Sequence, residues 1–299
     1  MSTDLLHRFS FRNAPIRGQW VRLDDVLGEV CAQQPYPAVV RQLLGQMLAA
    51  VAMFADGIKF NGAVNLHCQG DGPLTMLMAE CRSQHLLRAI ARWDPQLAPV
   101  ESVPMNELLG NGQLAISLLS DPADAGRSVS YQGLISLEQR NLADNLEVYF
   151  ATSEQLPSRL LFASRSTSVT GLLLQRMPAP DDASEIELDH HEALWEEVGV
   201  LAGTVSNEEL CALAVEDLLN RLFKTHTLNL HPPRNLRFEC TCNREKTVAA
   251  IATMARSEVL GLLDSQGEIT VTCEVCGHLY RYDKFDIHLL LDPGKPRIH

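Results

Sequence analysis

The spacing of apolar residues predicts both helices and strands in the N-terminal part of the chain. After Pro35 and Pro37, a stripe at helical intervals predicts an amphipathic helix facing the core: Val40, Leu43, Leu44, Met47, Leu48 and Val51. Strand-like runs at 63–69 and 74–80 surround Gln69-Gly70-Asp71-Gly72-Pro73, where glycine and aspartate allow positive φ in a tight turn. We therefore predict a β-hairpin.

Further strand-like runs lie at 113–119, 128–137 and 168–177, and a helical stretch lies at 138–150. The N-terminal part thus mixes sheet and helix, and the expected fold class is α+β. Pro178-Ala179-Pro180 marks the end of this first domain because the composition changes abruptly after it.

An acidic segment follows that boundary. Residues 181–217 hold twelve Asp and Glu and no Lys or Arg, in a chain whose net charge is -12. Ser206 and Glu209 form a predicted capping box ahead of leucines at helical spacing. We predict a largely helical acidic linker over 181–232.

The linker also carries apolar residues, namely Ile186, Leu188, Leu194, Trp195, Val198 and Leu201. Part of it is therefore expected to pack on another part of the molecule. One interpretation is a solvated acidic spacer with a few anchors. The sharper hypothesis is a metastable segment, because a stretch so rich in carboxylates should lose its packing easily.

Four of the eight cysteines occur in two close pairs: Cys240-Thr241-Cys242 and, thirty residues later, Cys273-Glu274-Val275-Cys276-Gly277. Such paired half-sites are typical of four-thiolate zinc domains. Gly277 permits the left-handed backbone that turns both sulfurs of its pair toward one point. We predict one zinc ion bound by Cys240, Cys242, Cys273 and Cys276 in a small C-terminal domain, residues 233–299.

A purely structural zinc ribbon is the commonest use of four such cysteines. The Cys-x-Cys pair is unusual, however, because residues two apart close a disulfide only with strain, and strained disulfides are labile. Oxidation would remove zinc ligands and unfold so small a module. The pattern therefore also indicates a redox sensor.

His278 is not counted as a ligand, and no role is assigned to Cys31, Cys68, Cys81 or Cys211, which lie singly in apolar surroundings.

The cysteine module is accompanied, in order along the chain, by Gln69-Gly70-Asp71-Gly72-Pro73, Tyr131-Gln132-Gly133, Ser153-Glu154-Gln155-Leu156-Pro157 and the stretch 238–245. With these motifs the chain resembles, over most of its length, the bacterial redox-regulated holdase chaperones of the thirty-three-kilodalton heat-shock family. The resemblance implies an α+β client-binding core domain at 1–180, a linker folded over it at 181–232 and a zinc domain at 233–299.

The resemblance also implies a mechanism. The reduced, zinc-bound form is inactive, and oxidation pairs Cys240 with Cys242 and Cys273 with Cys276, which releases zinc and frees the linker. The activated protein then holds unfolded clients and prevents their aggregation. A monomer is expected when reduced and a homodimer when oxidised, in a chaperone that is not an enzyme.

Two rival classes are less favoured. A thiol oxidoreductase using Cys273 and Cys276 needs Cys-x-x-Cys to open a helix, whereas 268–282 is typical of two short strands joined by a knuckle. A nucleic-acid module needs clustered Lys and Arg, whereas 233–299 holds nine basic and nine acidic residues.

The N-terminus lacks the apolar region of a signal peptide, and the longest apolar run, 43–54, is too short to span a bilayer. In a reducing compartment, clustered cysteines indicate a metal before disulfides. We expect a soluble, cytoplasmic protein with unfolded proteins as partners and with neither nucleic acid nor membrane.

Overall fold

The computed structural model describes residues 3–58, 62–83, 85–97, 102–120, 129–180 and 182–291. Ser128 and Asp181, which begin two of the predicted segments, lie outside the described residues. The chain forms two compact units, Met1–Glu239 and Cys240–His299. The linker belongs to the first unit, and the three-part division at 180 and 232 stays a prediction.

The first unit contains most of the secondary structure. Its helices are α1 (Asp25–Ala32), α2 (Ala38–Gly57), α3 (Met105–Leu109), α4 (Leu142–Thr152), α5 (Glu185–Ala202), α6 (Asn207–Ala212) and α7 (Val215–Phe223). Its strands are β1 (Leu5–Phe11), β2 (Ile16–Leu23), β3 (Gly62–Gln69), β4 (Leu74–Arg82), β5 (Leu86–Trp93), β6 (Gln113–Ser120), β7 (Val129–Ser136), β8 (Ser158–Ser164), β9 (Val169–Arg176), β10 (Leu228–Leu230), β11 (Arg234–Asn235) and β12 (Arg237–Phe238).

The second unit contains α8 (Arg244–Ile251), α9 (Arg256–Gln266), β13 (Ile269–Thr272), β14 (Leu279–Tyr282) and α10 (Lys284–Leu291). The mixture of helices and antiparallel sheets confirms the α+β class. The predicted helices and strands of the N-terminal part are confirmed as α2, α4, β3, β4, β6, β7 and β9.

Two six-stranded sheets form the first unit. The first sheet has the order β10-β1-β2-β9-β8, with β11 also paired to β1, and the second has the order β12-β5-β4-β3-β6-β7. Neighbouring strands run antiparallel, except that β12 runs parallel to β5. The short segment β10–β12 therefore adds strands to the edges of both sheets.

The predicted hairpin joins β3 to β4, but the reason for its glycines differs from the prediction. Neither Gly70 nor Gly72 has positive φ. A Cβ on Gly70 would lie 1.9 Å from the carbonyl oxygen of Leu109, and one on Gly72 would lie 2.4 Å from that of Leu108. Glycine is required because the end of α3 approaches the turn so closely.

Helix α2 is the centre of the core. Its apolar residues are buried together with side chains from both sheets. The apolar run at 43–54 belongs to this 20-residue helix, so the sequence underestimated its length. By length and composition it is the one helix among the described residues that could cross a membrane. However, 72% of its apolar 18-residue stretch is buried inside the protein.

The opposite face of the first sheet, called the outer face, is also apolar. Its residues alternate along the strands with those that face α2, as the period of two in a strand requires. The outer face consists of Phe9, Phe11, Ile16, Trp20, Leu172 and Leu174. Helices α5, α6 and α7 cover it with Leu194, Trp195, Val198, Leu210, Leu218, Leu222 and Phe223.

The linker is therefore docked, but unevenly. Its predicted helices and the Ser206–Glu209 capping box are present, and Ser184 with Glu187 forms a second box at the start of α5. Of the predicted apolar anchors, Leu194, Trp195 and Val198 are buried, whereas Ile186 is 82% exposed and Leu188 is 46% exposed. The first half of α5 thus has little apolar packing.

Arg22 on β2 makes a polar contact between the first sheet and the linker. Its NH2 group donates to the carbonyl oxygen of Cys211 at 2.6 Å and to that of Leu213 at 3.0 Å. These carbonyls lie at the end of α6, where a cation is favourable. The guanidinium also lies over the Trp20 ring, 5.1 Å from its centroid.

We predict that Arg22→Met loosens the linker without disturbing the core. Loss of charge-assisted hydrogen bonds should cost about 2 kcal/mol locally, which corresponds to roughly 30-fold faster amide exchange in α6 and α7. Hydrogen-exchange mass spectrometry is the measurement. Arg12→Met is the control, because Arg12 lies in the turn after β1 and its guanidinium donates to the Asn229 side chain and not to the linker helices. Equal acceleration in α2 would contradict the prediction.

Candidate metal centre

The four clustered cysteines lie in the second unit, at two turns. Cys240 and Cys242 precede α8, whose N-cap Asn243 accepts a hydrogen bond from the backbone N–H of Lys246 at 2.9 Å. Cys273 and Cys276 lie between β13 and β14, which pair as an antiparallel hairpin. The predicted two-strand knuckle is therefore present.

The knuckle turns tightly at Gly277. This residue has a φ of 66°, in the left-handed region that favours glycine. Its N–H donates to the carbonyl oxygen of Cys273 at 2.8 Å, and the N–H of Cys273 donates to that of His278 at 2.9 Å. These bonds direct the sulfurs of Cys273 and Cys276 to the same side of the turn.

The four sulfur atoms converge. All lie within 4.8 Å of one another, with 3.7 Å between the Sγ atoms of Cys240 and Cys273 and 3.4 Å between those of Cys242 and Cys276. None of the four is in a disulfide, and all are half-buried. The structure thus brings together the four residues that the sequence spacing selected.

The cluster suits a tetrahedral metal ion. Zinc–thiolate bonds of about 2.3 Å in a tetrahedron place sulfurs roughly 3.8 Å apart, near the observed separations. Four sulfur donors with no carboxylate among them are the ligand set of zinc or of an iron–sulfur site, and not of magnesium or calcium. Cys240, Cys242, Cys273 and Cys276 could together hold one such ion.

Tyr280 on β14 contacts the cluster and was missed by sequence reasoning. Its hydroxyl donates to the Sγ of Cys242 at 3.1 Å. Burial alone would raise the pKa of Cys242, but hydrogen bonds from Tyr280 and the neighbouring thiols bring that pKa below its usual value. The bond favours the protonated phenol, which raises the pKa of Tyr280 to about 12. The only sequence signal was an aromatic residue close after the Cys-x-x-Cys-Gly turn.

The other sulfurs experience different surroundings. Burial raises the pKa of Cys240 and of Cys276, and hydrogen bonding among the thiols adds to this. Four thiols held this close cannot all ionise without a cation between them, because their negative charges would repel. A metal ion supplies that positive charge.

His278 lies outside the sulfur cluster, as expected. Its ring packs edge-on against Tyr280 with centroids 4.6 Å apart. The remaining cysteines are also apart from the cluster. Cys68, Cys81 and Cys211 are buried and Cys31 is half-buried, and burial raises the pKa of Cys68 and of Cys81 to about 12.

The hydrophobic core of the second unit is small. It consists of Ile251, Val259, Leu263, Ile269, Tyr282 and Ile287. The Tyr282 hydroxyl pairs with that of Thr247, and the Arg244 guanidinium lies 4.4 Å from the Tyr282 ring centroid. A unit of this size ordinarily needs a metal or cross-links to remain folded.

The fold and site define a two-unit protein with a C-terminal four-cysteine module. The sequence model of the family described as Hsp33 protein matches residues 4–283. The chain is 37% identical over 287 residues to a 33 kDa chaperonin of Shewanella woodyi, which covers 96% of this chain and 95% of the relative. A 33 kDa chaperonin of Nitrosococcus oceani is also 37% identical over 287 residues, covering 96% and 94%.

A solved structure agrees at the level of fold. The crystal structure of a 33 kDa chaperonin, a heat shock protein 33 homolog from Thermotoga maritima, matches with a TM-score of 0.76 at 20% identity. The match covers 96% of this chain and 98% of that one. The chain belongs to the Hsp33 family of chaperones, which confirms the resemblance seen in the motifs.

We predict that Cys240→Ser abolishes tight zinc binding by the purified reduced protein. Three thiolates and a hydroxyl bind zinc far more weakly, and metal affinity is coupled to folding of the module. Competition with a chromophoric chelator measures the affinity. Cys211→Ser is the matched control, because Cys211 is buried in the core of the first unit and is not one of the four clustered thiols. Unchanged zinc affinity in Cys240→Ser would refute the ligand set.

We also predict that Tyr280→Phe weakens zinc binding roughly 10- to 100-fold, the usual effect of losing an outer hydrogen bond to a metal ligand. The ring remains, so the hairpin should keep its fold. Chelator competition again gives the affinity, and near-ultraviolet circular dichroism checks the packing. The control is His278→Phe, which keeps a ring against Tyr280. A larger loss of affinity in the control would contradict the assignment.

Proposed function

We propose that this protein is a redox-regulated holdase, inactive when reduced and zinc-bound, that oxidation converts into a binder of unfolded proteins. The observation that carries the proposal is the convergence of four half-buried thiols, two from Cys-x-Cys and two from Cys-x-x-Cys. Membership of a chaperone family supports the activity. The thiol cluster supports the switch.

In the reduced state, Cys240, Cys242, Cys273 and Cys276 would hold one zinc ion as thiolates. Structural zinc supplies roughly 10–16 kcal/mol of apparent binding free energy, much of it as folding free energy. For a unit with the six-residue core described above, that contribution decides whether the unit is folded. The metal state and the folded state are therefore coupled.

Oxidation would proceed within each sequence-adjacent pair. Peroxide oxidises one thiolate to a sulfenic acid and is itself reduced to hydroxide. The neighbouring thiolate then attacks that sulfur and expels a second hydroxide, which forms the disulfide. One peroxide is consumed for each pair, Cys240 with Cys242 and Cys273 with Cys276. Both steps remove zinc ligands.

Unfolding of the second unit would then act on the linker through the chain itself. The segment β10–β12 precedes Cys240 directly and is held by short pairings, some of only two residues. Helices α5–α7 lie just upstream and carry many exposed carboxylates. We infer that the linker undocks when this anchoring segment is loosened.

Undocking would expose the outer face of the first sheet together with the apolar side of the linker. An apolar surface bordered by carboxylates binds hydrophobic segments of unfolded chains and remains soluble. The binder is expected to be cytoplasmic, monomeric when reduced and homodimeric when oxidised. Unfolded proteins, and not nucleic acid or membrane, are its proposed partners.

An oxidoreductase is the less favoured alternative. In a thioredoxin-like site the Cys-x-x-Cys pair opens a helix, whereas Cys273 and Cys276 lie in a β-hairpin turn. A purely structural zinc module is the other alternative. Oxidation of such a module would not produce holdase activity.

We predict that peroxide at elevated temperature releases zinc from the reduced protein in step with the appearance of holdase activity. Zinc is followed with a chromophoric chelator while light scattering reports aggregation of an unfolded client in the same sample. A reductant with added zinc should reverse both changes.

The control is the Cys31→Ser, Cys68→Ser, Cys81→Ser, Cys211→Ser quadruple variant, which keeps only the clustered thiols and should switch like the parent. Zinc release without activity would indicate a structural site and overturn the proposal. Turnover of a dithiol substrate by the reduced protein would instead favour the oxidoreductase.

A further inference from the structure

A cavity of about 350 Å³, called the apolar chamber, lies inside the first unit beside the C-terminal end of α2. This volume is at the lower end of the range for small-molecule sites. Side chains from α2, β6, α4 and β9 form its walls, chiefly Met53, Phe54, Ile116, Leu118, Phe150 and Leu173.

A second cavity of about 490 Å³, called the cationic vestibule, adjoins the apolar chamber. Its ionisable lining residues are Arg8, Arg17, Asp56, His231 and Arg234. The two cavities share Arg17, Gln19, Gly57 and Ile58 in their linings, so they lie side by side at the end of α2. Three guanidinium groups against one carboxylate make the vestibule electropositive.

Asp56 is already engaged. Its fully buried carboxylate accepts from Gln19 at 2.9 Å and forms ion pairs with Arg234 at 2.6 Å and Arg8 at 3.7 Å. The Arg8 Nε is nevertheless a buried nitrogen with no hydrogen-bond acceptor. One carboxylate cannot compensate all of the cations around it.

Arg17 lies where the chamber meets the vestibule. Its Nε and NH2 donate to the amide oxygen of Gln175 at 3.0 and 2.8 Å, and Gln175 in turn donates to Ser158 at 3.0 Å. Among the described residues, no carboxylate forms a salt bridge with Arg17. Burial lowers the pKa of this guanidinium. A half-buried cation fixed by a neutral amide is costly unless an anion accompanies it.

The part of the chamber that does not border the vestibule is lined by residues of two motifs that the proposed switch does not use. Tyr131 and Tyr149 both contact Glu154 Oε1, at 3.2 and 2.5 Å. The Tyr149 ring fits only because residue 133 is glycine, where a Cβ would lie 2.7 Å from the ring. The Glu154 carboxylate would repel an anionic group at this end, so charge dictates the orientation of a ligand.

We propose that the apolar chamber and cationic vestibule together bind a single-chain amphiphile with an anionic head, such as a medium-chain alkyl carboxylate. The chain occupies the chamber, and the carboxylate accepts hydrogen bonds from Arg17 and Arg8 in the vestibule. The site lies wholly in the first unit, and binding by the reduced protein does not require the redox switch proposed above, although His231 and Arg234 belong to the segment that the switch would loosen. An apolar wall with a few convergent polar groups is the usual character of such sites.

The test is isothermal titration of the reduced, zinc-loaded full chain with decanoate below its critical micelle concentration. Decanol and inorganic phosphate are titrated separately. Decanol measures binding of the alkyl chain alone, and phosphate measures binding of an anion without the chain. Decanoate should bind at least about tenfold more tightly than either, because one charge-assisted hydrogen bond has about that effect. Arg17→Gln should lose this advantage for decanoate and leave decanol unchanged.

Two further variants keep the test decisive if Arg17→Gln does not fold. Arg8→Gln removes a cation that is partly exposed, and Ile58→Glu puts a carboxylate at a partly exposed position shared by both cavities. Both should weaken decanoate binding about tenfold or more. The matched controls are Arg41→Gln and Val148→Glu, which do not line either cavity.

Three outcomes would overturn the proposal: equal affinity for decanol and decanoate, equal losses in the controls, or phosphate binding as tightly as decanoate. Vesicles of anionic phospholipid distinguish a free acid from a chain presented by a membrane. Retention on vesicles without saturable binding of decanoate would also overturn it.

Discussion

Both faces of the first sheet are apolar, and each must be covered for the first unit to remain soluble. Helix α2 covers one face, where it is packed between two sheets and cannot leave without unfolding the domain. Helices α5–α7 cover the outer face from the solvent side only. The two coverings differ because α2 is buried almost all round, whereas the linker helices are buried along one stripe. The function proposed above requires that the linker covering leave the outer face while the α2 covering stays in place.

The second unit has the complementary property of depending on very few interactions. Its core is six buried side chains, and its four sulfurs lie close enough together to hold one metal ion. The same sulfurs are half-buried, so an oxidant can reach them. In the proposed switch, the atoms that stabilise the unit through the metal are therefore the atoms that the oxidant attacks. In contrast, the thiols of Cys68 and Cys81 are sealed in the first core, where burial raises their pKa to about 12 and suppresses reactivity.

Charged side chains are distributed unevenly in the first unit. The linker concentrates negative charge outside the outer face, whereas Arg8, Arg17 and Arg234 concentrate positive charge around Asp56 at the end of α2. Arg22 on β2 donates hydrogen bonds to the carbonyls at the end of α6, in the linker. Partly exposed guanidinium groups thus contribute at both places, and each lies on β1, β2 or β11; β1 pairs with both of the other strands.

The sequence by itself determined what depends on neighbours along the chain. Helix α2, the β3–β4 hairpin, the Ser206–Glu209 cap and the knuckle follow from periodicity and turn chemistry, and the four-cysteine cluster follows from cysteine spacing. Strands β1, β2, β5 and β8 were missed because their apolar and charged residues are satisfied by partners far away in the chain, such as Arg22 by α6. Ile186 and Leu188 were expected to pack, yet α5 touches the sheet only in its second half. Tyr280 against Cys242, and Arg17 between two cavities, were decided by tertiary structure alone, because only pairing of distant strands sets which side chains meet.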